Sequence, residues 1–458
     1  MGRRTRTRVA LALWALAAGG TSRTPVLSSA EHGSSSWLGG SGVLGARAQT
    51  VDGTTGRCVA LPAPPPHPCL GRADSHLLLL LFAHSWAQAS ALLSPSDDPT
   101  LLIISGKTAV AGQTVDSAPS TSSALSLNLS QPILDLDHPP WASLDSTGPI
   151  ASYASLVPLS SSAALFFGGD ASSDPAVAVQ TGNDSSWLLD LAPPSSSSTA
   201  SSTTSAILAP SWSHETATQW PSQPQRRELA FTASATNGTL SRAWLYGGQR
   251  PDGSGTTFAE LWELEVTLGR DGALDSPRWA AWEADRGADV PPPMYDGVAV
   301  LVPGAKTTDL PSVYLVGGAQ VDQGTTSLVD LSSVWAFTPD STLGGGSWTL
   351  VETSGTAPPA RRGHVAVAVG GGRVWIQGGR SLDETTVLGD AWVLDTRRKR
   401  WSEARKGAQV WGHSAAMVGE TVVLTFGASL SLSLSVLVSS RRAQLTPPPT
   451  AGYGVNAP

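Results

Sequence analysis

Ala164-Leu-Phe-Phe-Gly-Gly169, Ala243-Trp-Leu-Tyr-Gly-Gly248, Val313-Tyr-Leu-Val-Gly-Gly318 and Val374-Trp-Ile-Gln-Gly-Gly379 repeat one phrase: an apolar strand that ends in two glycines. Self-similarity at a period of tens of residues decides the architecture before any local motif does. Each pair opens a variable polar loop, and a tryptophan follows in register. Trp187, Trp262, Trp335 and Trp392 stand 18, 14, 17 and 13 residues after the second glycine. A second tryptophan comes next, at Trp212 (or Trp220), Trp279 (or Trp282), Trp348 and Trp401. The units are separated by the corners Pro224-Gln-Arg-Arg227, Pro292-Pro-Met-Tyr295 and Pro358-Pro-Ala-Arg-Arg362. Each corner leads into an apolar strand such as that following Gly363-His364. Short strands separated by glycine turns, with tryptophans free to fill the space between stacked sheets, give an all-β propeller.

This combination resembles the kelch repeat, whose copies fold as four-stranded antiparallel blades. The resemblance runs from about Trp86 to about Val438. Two weaker copies extend the series: Trp86-Ala-Gln-Ala-Ser-Ala-Leu-Leu93 with Gly106, and Trp411-Gly-His-Ser-Ala-Ala-Met-Val418 with Gly427. The expected fold is a six-bladed β-propeller over residues 85–440. Its last blade is short of a strand, since Leu430–Val438 supplies a third and no tryptophan-bearing fourth follows. Closure then needs a strand from elsewhere, or that edge stays open. Residues 421–440 carry no charge, but their serines and repeat register favour strands over a membrane span.

Residues 1–84 read as a leader. Arg3, Arg4, Arg6 and Arg8 precede the apolar block Val9–Ala18, the pattern of a secretory signal, and a second apolar block runs from Leu77 to Ala83 directly before the first repeat. The second block explains the spacing better, with residues 1–76 an upstream extension. A mitochondrial presequence shares the arginine-rich, acid-poor start. The Gly, Ser and Pro-rich stretch between the blocks lacks periodicity and reads as disordered, as does the Pro-rich tail 441–458. Asn128, Asn183 and Asn237 open glycosylation sequons, and Asn237-Gly238 is also a hairpin turn signal. Between Ala192 and Gln225 lies a Ser/Thr/Pro-rich insert with the composition of a flexible, O-glycosylated loop. These features place the repeats outside the cell or at its surface, and the chain is similar to secreted kelch proteins of the fungal type. Such relatives often continue into a membrane helix; membrane anchoring stays open here.

Chemistry is sparse. Only 14 % of residues are charged, the net charge is −7, and no basic stripe is interleaved with aromatics, so a nucleic-acid footprint is not expected. The two cysteines, Cys58 and Cys69, precede the repeats; they can pair with each other but serve no site within the blades. The copper radical oxidases that share this fold need a tyrosine cross-linked to a cysteine, which the repeats cannot provide. His364 and His413 take the same place in consecutive units and read as structural, and no metal or other cofactor is expected. Asp170, Glu260 and Asp390 stand on different blades with no separation that sequence can fix. No catalytic constellation emerges, and a carboxylate or metal enzyme remains an alternative, as does an intracellular kelch scaffold. In kelch propellers the loop after the glycine pair and the corner between blades open on one face. The candidate binding residues are therefore Lys107, Arg250 and Arg380 from the loops (with Asp170 beside them) and Arg227, Tyr295, Arg362 and His364 from the corners. Arginines gathered there suit an acidic protein segment or an anionic glycan. A monomer binding a protein or glycan through this face is the expected function. The competing reading has the corner arginines hydrogen-bonding blade carbonyls.

Overall fold

The computed structural model describes residues 85–427, apart from internal stretches of which 193–208 is the longest, together with strand residues 50–51, 58–59, 76–80 and 439–440. Every element among them is a β-strand. Five sheets have four antiparallel strands each, in chain order from the inside outward. The first comprises Ala89–Leu93, Thr100–Ile104, Ala124–Asn128 and Ala142–Ser143. The second runs Ser155–Pro158, Ala163–Phe167, Ser186–Ala192 and Ala209–Glu215. The third is Phe231–Thr236, Leu240–Tyr246, Leu261–Leu268 and Leu274–Ala281. The fourth is Val298–Val302, Ser312–Val316, Ser333–Pro339 and Gly346–Glu352, and the fifth Val365–Ala368, Arg373–Gln377, Ala391–Asp395 and Arg400–Glu403. A sixth sheet begins with Ser414–Val418 and Thr421–Thr425.

The innermost strands of these six sheets touch in cyclic order, the sixth against the first. Apolar clusters fill the spaces between neighbours in the same order. Phe166 and Leu189 of the second sheet pack with Leu102 and Ile104 of the first, and Trp392 and Trp401 of the fifth pack with Val334 and Val351 of the fourth. Ala416 and Val423 of the sixth meet Leu101, Ile103 and Leu127 of the first. Second from the axis, Thr100–Ile104 and Ala163–Phe167 are covered on both faces and buried throughout, whereas the inner Ala89–Leu93 alternates, as do the second strands Ser312–Val316 and Arg373–Gln377 over most of their length. The tryptophans serve this packing, and some also tie sheets by their N–H: Trp401 Nε1 donates to the Leu331 carbonyl (2.8 Å) and Trp282 Nε1 to that of Gly346 (3.0 Å).

Two further strands join the sixth sheet. His76–Leu80 lies parallel to Thr421–Thr425, with Leu77 opposite Val422 and Leu80 opposite Thr425, and Ser439–Ser440 pairs antiparallel on its far side. Residues 77–80 of the block read from sequence as a second targeting segment are thus part of a sheet strand, and the rest of that block lies outside the described residues. The third strand expected at Leu430–Val438 lies outside the described residues. In the second sheet the insert expected from Ala192 to Gln225 includes the outer strand Ala209–Glu215, which carries Trp212 at the paired place.

The glycine pairs are sites of close backbone approach. All eight glycines have positive φ, from +59° to +96°. A Cβ on Gly168 would stand 2.2 Å from the Arg227 carbonyl oxygen, and one on Gly247 2.2 Å from that of Met294. In the first unit the first glycine is replaced by Ser105 (φ +59°), whose hydroxyl turns the contact into a hydrogen bond to the Ala151 carbonyl. Gly247→Ala combines a backbone clash with an unfavourable φ and should cost about 3 kcal/mol or more in urea unfolding. Gly238→Ala has a similar φ but open space around it, so its loss should stay near about 1 kcal/mol. Equal losses would show that the approach to the corner carbonyl is not limiting.

Candidate functional site

Two residues before each inner strand the chain enters the left-handed region. Ala87, Tyr153, Leu229, Asp296, Gly363 and Gly412 have φ between 57 and 61°. This geometry turns each N–H toward the preceding unit. Tyr153 donates to the Ala87 carbonyl (2.9 Å), Leu229 to Tyr153 (3.0 Å), Asp296 to Leu229 (3.0 Å), Gly363 to Asp296 (3.0 Å) and Gly412 to Gly363 (2.8 Å). The result is a backbone collar around the propeller axis. Immediately before the collar, corner residues pair with the first residue after a glycine pair: Trp86 with Lys107, Ser152 with Asp170, Glu228 with Gln249, Tyr295 with Ala319 and Arg362 with Arg380. Corners and loops therefore do share one face. The inner strands enclose a cavity of about 310 Å³ along the axis, lined among others by Gln88, Thr232, His364, His413 and Ser414.

Arg227 and Arg361 hold equivalent corner places and do the same work. The carbonyl of each accepts from the second glycine of one pair, Gly169 or Gly318. The guanidinium donates to the first glycine's carbonyl of the next pair, Arg227 to Gly247 (3.2 Å) and Arg361 to Gly378 (3.0 Å). Arg361 also forks onto Asp390 at 2.9 and 2.7 Å, and Arg227 stands 3.7 Å from Glu260. Each carboxylate in turn accepts from a tryptophan N–H two residues on, Trp392 or Trp262. Where the corner place is Ala151 or Met294, the place of the acid is Ser185 or Ser333. Arginine and acid appear together or not at all. Burial pushes the Arg227 guanidinium down to about 10 despite Glu260, while hydrogen bonds from Arg361 and Trp392 outweigh burial and keep Asp390 below its ordinary value.

Around the collar the charges are crowded. Arg362 reaches Glu384 (2.7 Å) and Asp296 (3.5 Å), and Arg380 reaches Glu384 (2.9 Å) while lying 3.7 Å over the Trp411 ring. Across the mouth Lys107 sits 5.7 Å over Tyr153, and both Tyr153 and Trp411 pack against Ala87. Glu228 is pushed up to about 7 by burial and by neighbouring Asp170 and Asp296, with Lys107 opposing. Burial raises Asp296 to about 6 in spite of Arg362 and Arg380. His364 and His413 are held neutral, down to about 3, chiefly by burial.

Of the seven binding residues expected from sequence, Arg227, Tyr295 and His364 are buried and face other parts of the propeller. His364 rests its ring where a Cβ on Gly317 would be, as His413 does at Gly378. Arg362 and Arg380 come together on Glu384, and Lys107 lies over the collar residue Tyr153. Arg250 belongs to the third unit, two units from the arginine pair, and donates to Gln225 Oε1 (3.1 Å). Glu260 and Asp390, weighed as catalytic carboxylates, are the partners of the corner arginines. Among the described residues no three His, Cys, Asp or Glu side chains gather as a metal site requires. Sequence reasoning did not single out Tyr153, Glu228, Asp296 and Glu384. The first three were within its reach, because they lie within one residue of the place of Gly363 in each unit.

Residues 210–428 match the family model of the KLHDC2/KLHL20/DRC7 kelch-repeats domain. No curated protein matches the chain.

Arg361→Ala strands a half-buried carboxylate and frees a glycine carbonyl, and should lower unfolding free energy by about 3 kcal/mol. Arg398→Ala, which removes an exposed pair with Asp395, should change it by less than about 1 kcal/mol. Comparable losses would contradict a latching role. The pH response of Glu228 follows from its raised value. The folded state holds its proton up to about pH 7 and the unfolded state only to the ordinary range, so its contribution is complete at low pH and is lost as pH rises through 7. Glu228→Gln should thus gain stability relative to the parent between pH 5 and 8 in pH-dependent melts. A constant difference over that range would remove the assignment.

Proposed function

We propose that this kelch-repeat β-propeller is a non-catalytic protein-interaction module that holds its partner at the collar face. The observation that carries this reading is the placing of Arg362 and Arg380, with Trp411 against Arg380, and of Lys107 over Tyr153, on residues at or next to the collar. Arginine, tryptophan and tyrosine are the side chains that most often dominate protein-binding energetics, because each combines a large apolar surface with a polar handle. Acidic side chains are the matching feature on the partner. An anionic glycan offers similar charge but not the apolar edge that Trp411 and Tyr153 call for.

We place this activity outside the cell or at its surface, on the three sequons, each with an exposed asparagine, and on the basic apolar start of the chain. On this reading Val9–Ala18 is the targeting block, a choice supported by the pairing of Leu77–Leu80 in the sixth sheet. The six sheets are read as six blades and the chain as a monomer.

A cell-surface pull-down and a glycan array, each run with the parent and with R362A/R380A, test the face. Loss of protein capture by a double variant that still unfolds cooperatively is the expected result. Unchanged capture would remove the face, and arginine-dependent glycan binding without protein capture would replace the partner class. Asn237 carrying a glycan, with a mature N-terminus before His76, is expected on this route; an unglycosylated chain beginning at Met1 would favour the intracellular scaffold.

A further inference from the structure

We infer that Glu384 is an internal stand-in for a carboxylate of the protein partner, closing an arginine site that the partner opens by displacing it. The inference rests on the collar face proposed above and adds its regulation. One carboxylate bridges two arginines: Oε1 accepts from Arg362 and Oε2 pairs with Arg380, at 2.7 and 2.9 Å. The arginines are fixed and the glutamate is not. Both guanidinium side chains are only 11 % exposed, against 41 % for Glu384. Their backbones bond each other in both directions, at 3.2 and 2.9 Å. Trp411 supports one guanidinium from below and Asp296 the other. The Nε atom of each is buried without a hydrogen-bond partner, so the pair retains donors beyond those Glu384 uses.

The loop that presents Glu384 strengthens the case. Glu384 has φ +61°, a conformation that L residues rarely adopt. Five residues past the second glycine, the same place in the third unit holds Gly253 (φ +76°) with nothing within 4 Å of a Cβ. In the fourth unit it holds Gln323 (φ +47°). The second unit has Asp174 at this place, but it is Glu384, held at positive φ where the third unit has glycine, whose carboxylate turns onto Arg362 and Arg380. The turn itself stands without that carboxylate. Ser381 N donates to Thr386 O (2.9 Å), and Asp383 accepts from the Ser381 and Thr385 hydroxyls. Glu384 can swing away while the hairpin persists, leaving two preformed guanidiniums opposed by Asp296 alone. Charge-assisted forks of this kind are strong and geometrically selective, which suits exchange of one carboxylate for another.

A plug lowers apparent affinity by the fraction of time the site is open. The probe is an end-blocked fluorescent peptide with an Asp-Glu-Glu core, followed by anisotropy against a Lys-Lys-Lys counterpart. E384A should bind the acidic peptide about tenfold more tightly than the parent, if the site is open about a tenth of the time. R380A should weaken binding in either background, and the basic peptide should bind neither protein. E384Q provides the same comparison with side-chain volume kept. Phenylglyoxal labelling read by mass spectrometry should modify Arg380 and Arg362 faster in E384A. Acidic-peptide affinity and labelling that are unchanged or reduced on loss of Glu384 would overturn the plug, even if R380A still weakens binding and the face survives. If R380A alters neither background, the collar face falls with it.

Discussion

Everything in this propeller depends on a close backbone contact between neighbouring units. The second residue of each glycine pair donates its N–H to a corner carbonyl of the next unit: Gly106 to Ala151, Gly169 to Arg227, Gly248 to Met294, Gly318 to Arg361 and Gly379 to Val410, at 2.8 to 2.9 Å. Such bonds fix where one sheet stands relative to its neighbour, and only then can the apolar faces interlock. The corner so anchored feeds directly into the left-handed collar residue and the inner strand. Loop, corner, collar and channel are consequences of one approach distance repeated around an axis. The hydrophobic clusters contribute most of the folding free energy, but they do not choose the angle between sheets, since apolar contact is non-directional.

Much of this was legible in the chain because repetition supplies its own control. The four glycine pairs and their tryptophans gave the strands, the sheet order and the faces that pack. The same comparison found Gly106 and Gly427 in damaged units. The strand beside Thr421–Thr425 was not legible, because His76–Leu80 pairs in parallel and lies ahead of the first repeat, where no repeat signal marks it. The Leu77 block satisfies the composition of a targeting segment and of a buried strand equally well. Roles of individual arginines were half legible. Arg361 and Arg362 are adjacent and chemically identical in sequence, yet one points between sheets toward Asp390 and the other toward the mouth. Alternation along an extended chain separates them, and only the register of the corner says which is which. Arg227 and Arg226 repeat the ambiguity, with Arg226 turned back to the Gly168 carbonyl.

The latch arginines also explain why a propeller with so few charges buries several. A guanidinium has five donors in a plane, enough to satisfy a glycine carbonyl that has no strand partner and a carboxylate at once. Removing the demand is as good as meeting it. In the units with Ala151 and Met294 the acid's place is taken by serine, and no charge is left behind. Co-occurrence within one chain separates structural arginines from those free for binding without reference to any relative.

That separation sharpens where function can reside. Residues that recur at one place in every unit build the disc, and residues that break the pattern are available for something else. Glu384 breaks it in two ways, by placing a side chain where another unit has glycine and by turning it onto arginines that already have a second acid in Asp296. Lys107 and Glu228 break it on the opposite arc, where a raised carboxylate faces a lysine stacked on Tyr153. The collar therefore carries acid and base together at both places, Asp296 beside the arginine pair and Glu228, raised to about 7 by burial, near Lys107. A partner that inserts an acidic side chain at Glu384's place would bring its flanking residues over Tyr153 and Trp411. Tyr153 and Trp411 both pack against Ala87, so the repeats hold these two rings in place beside the collar.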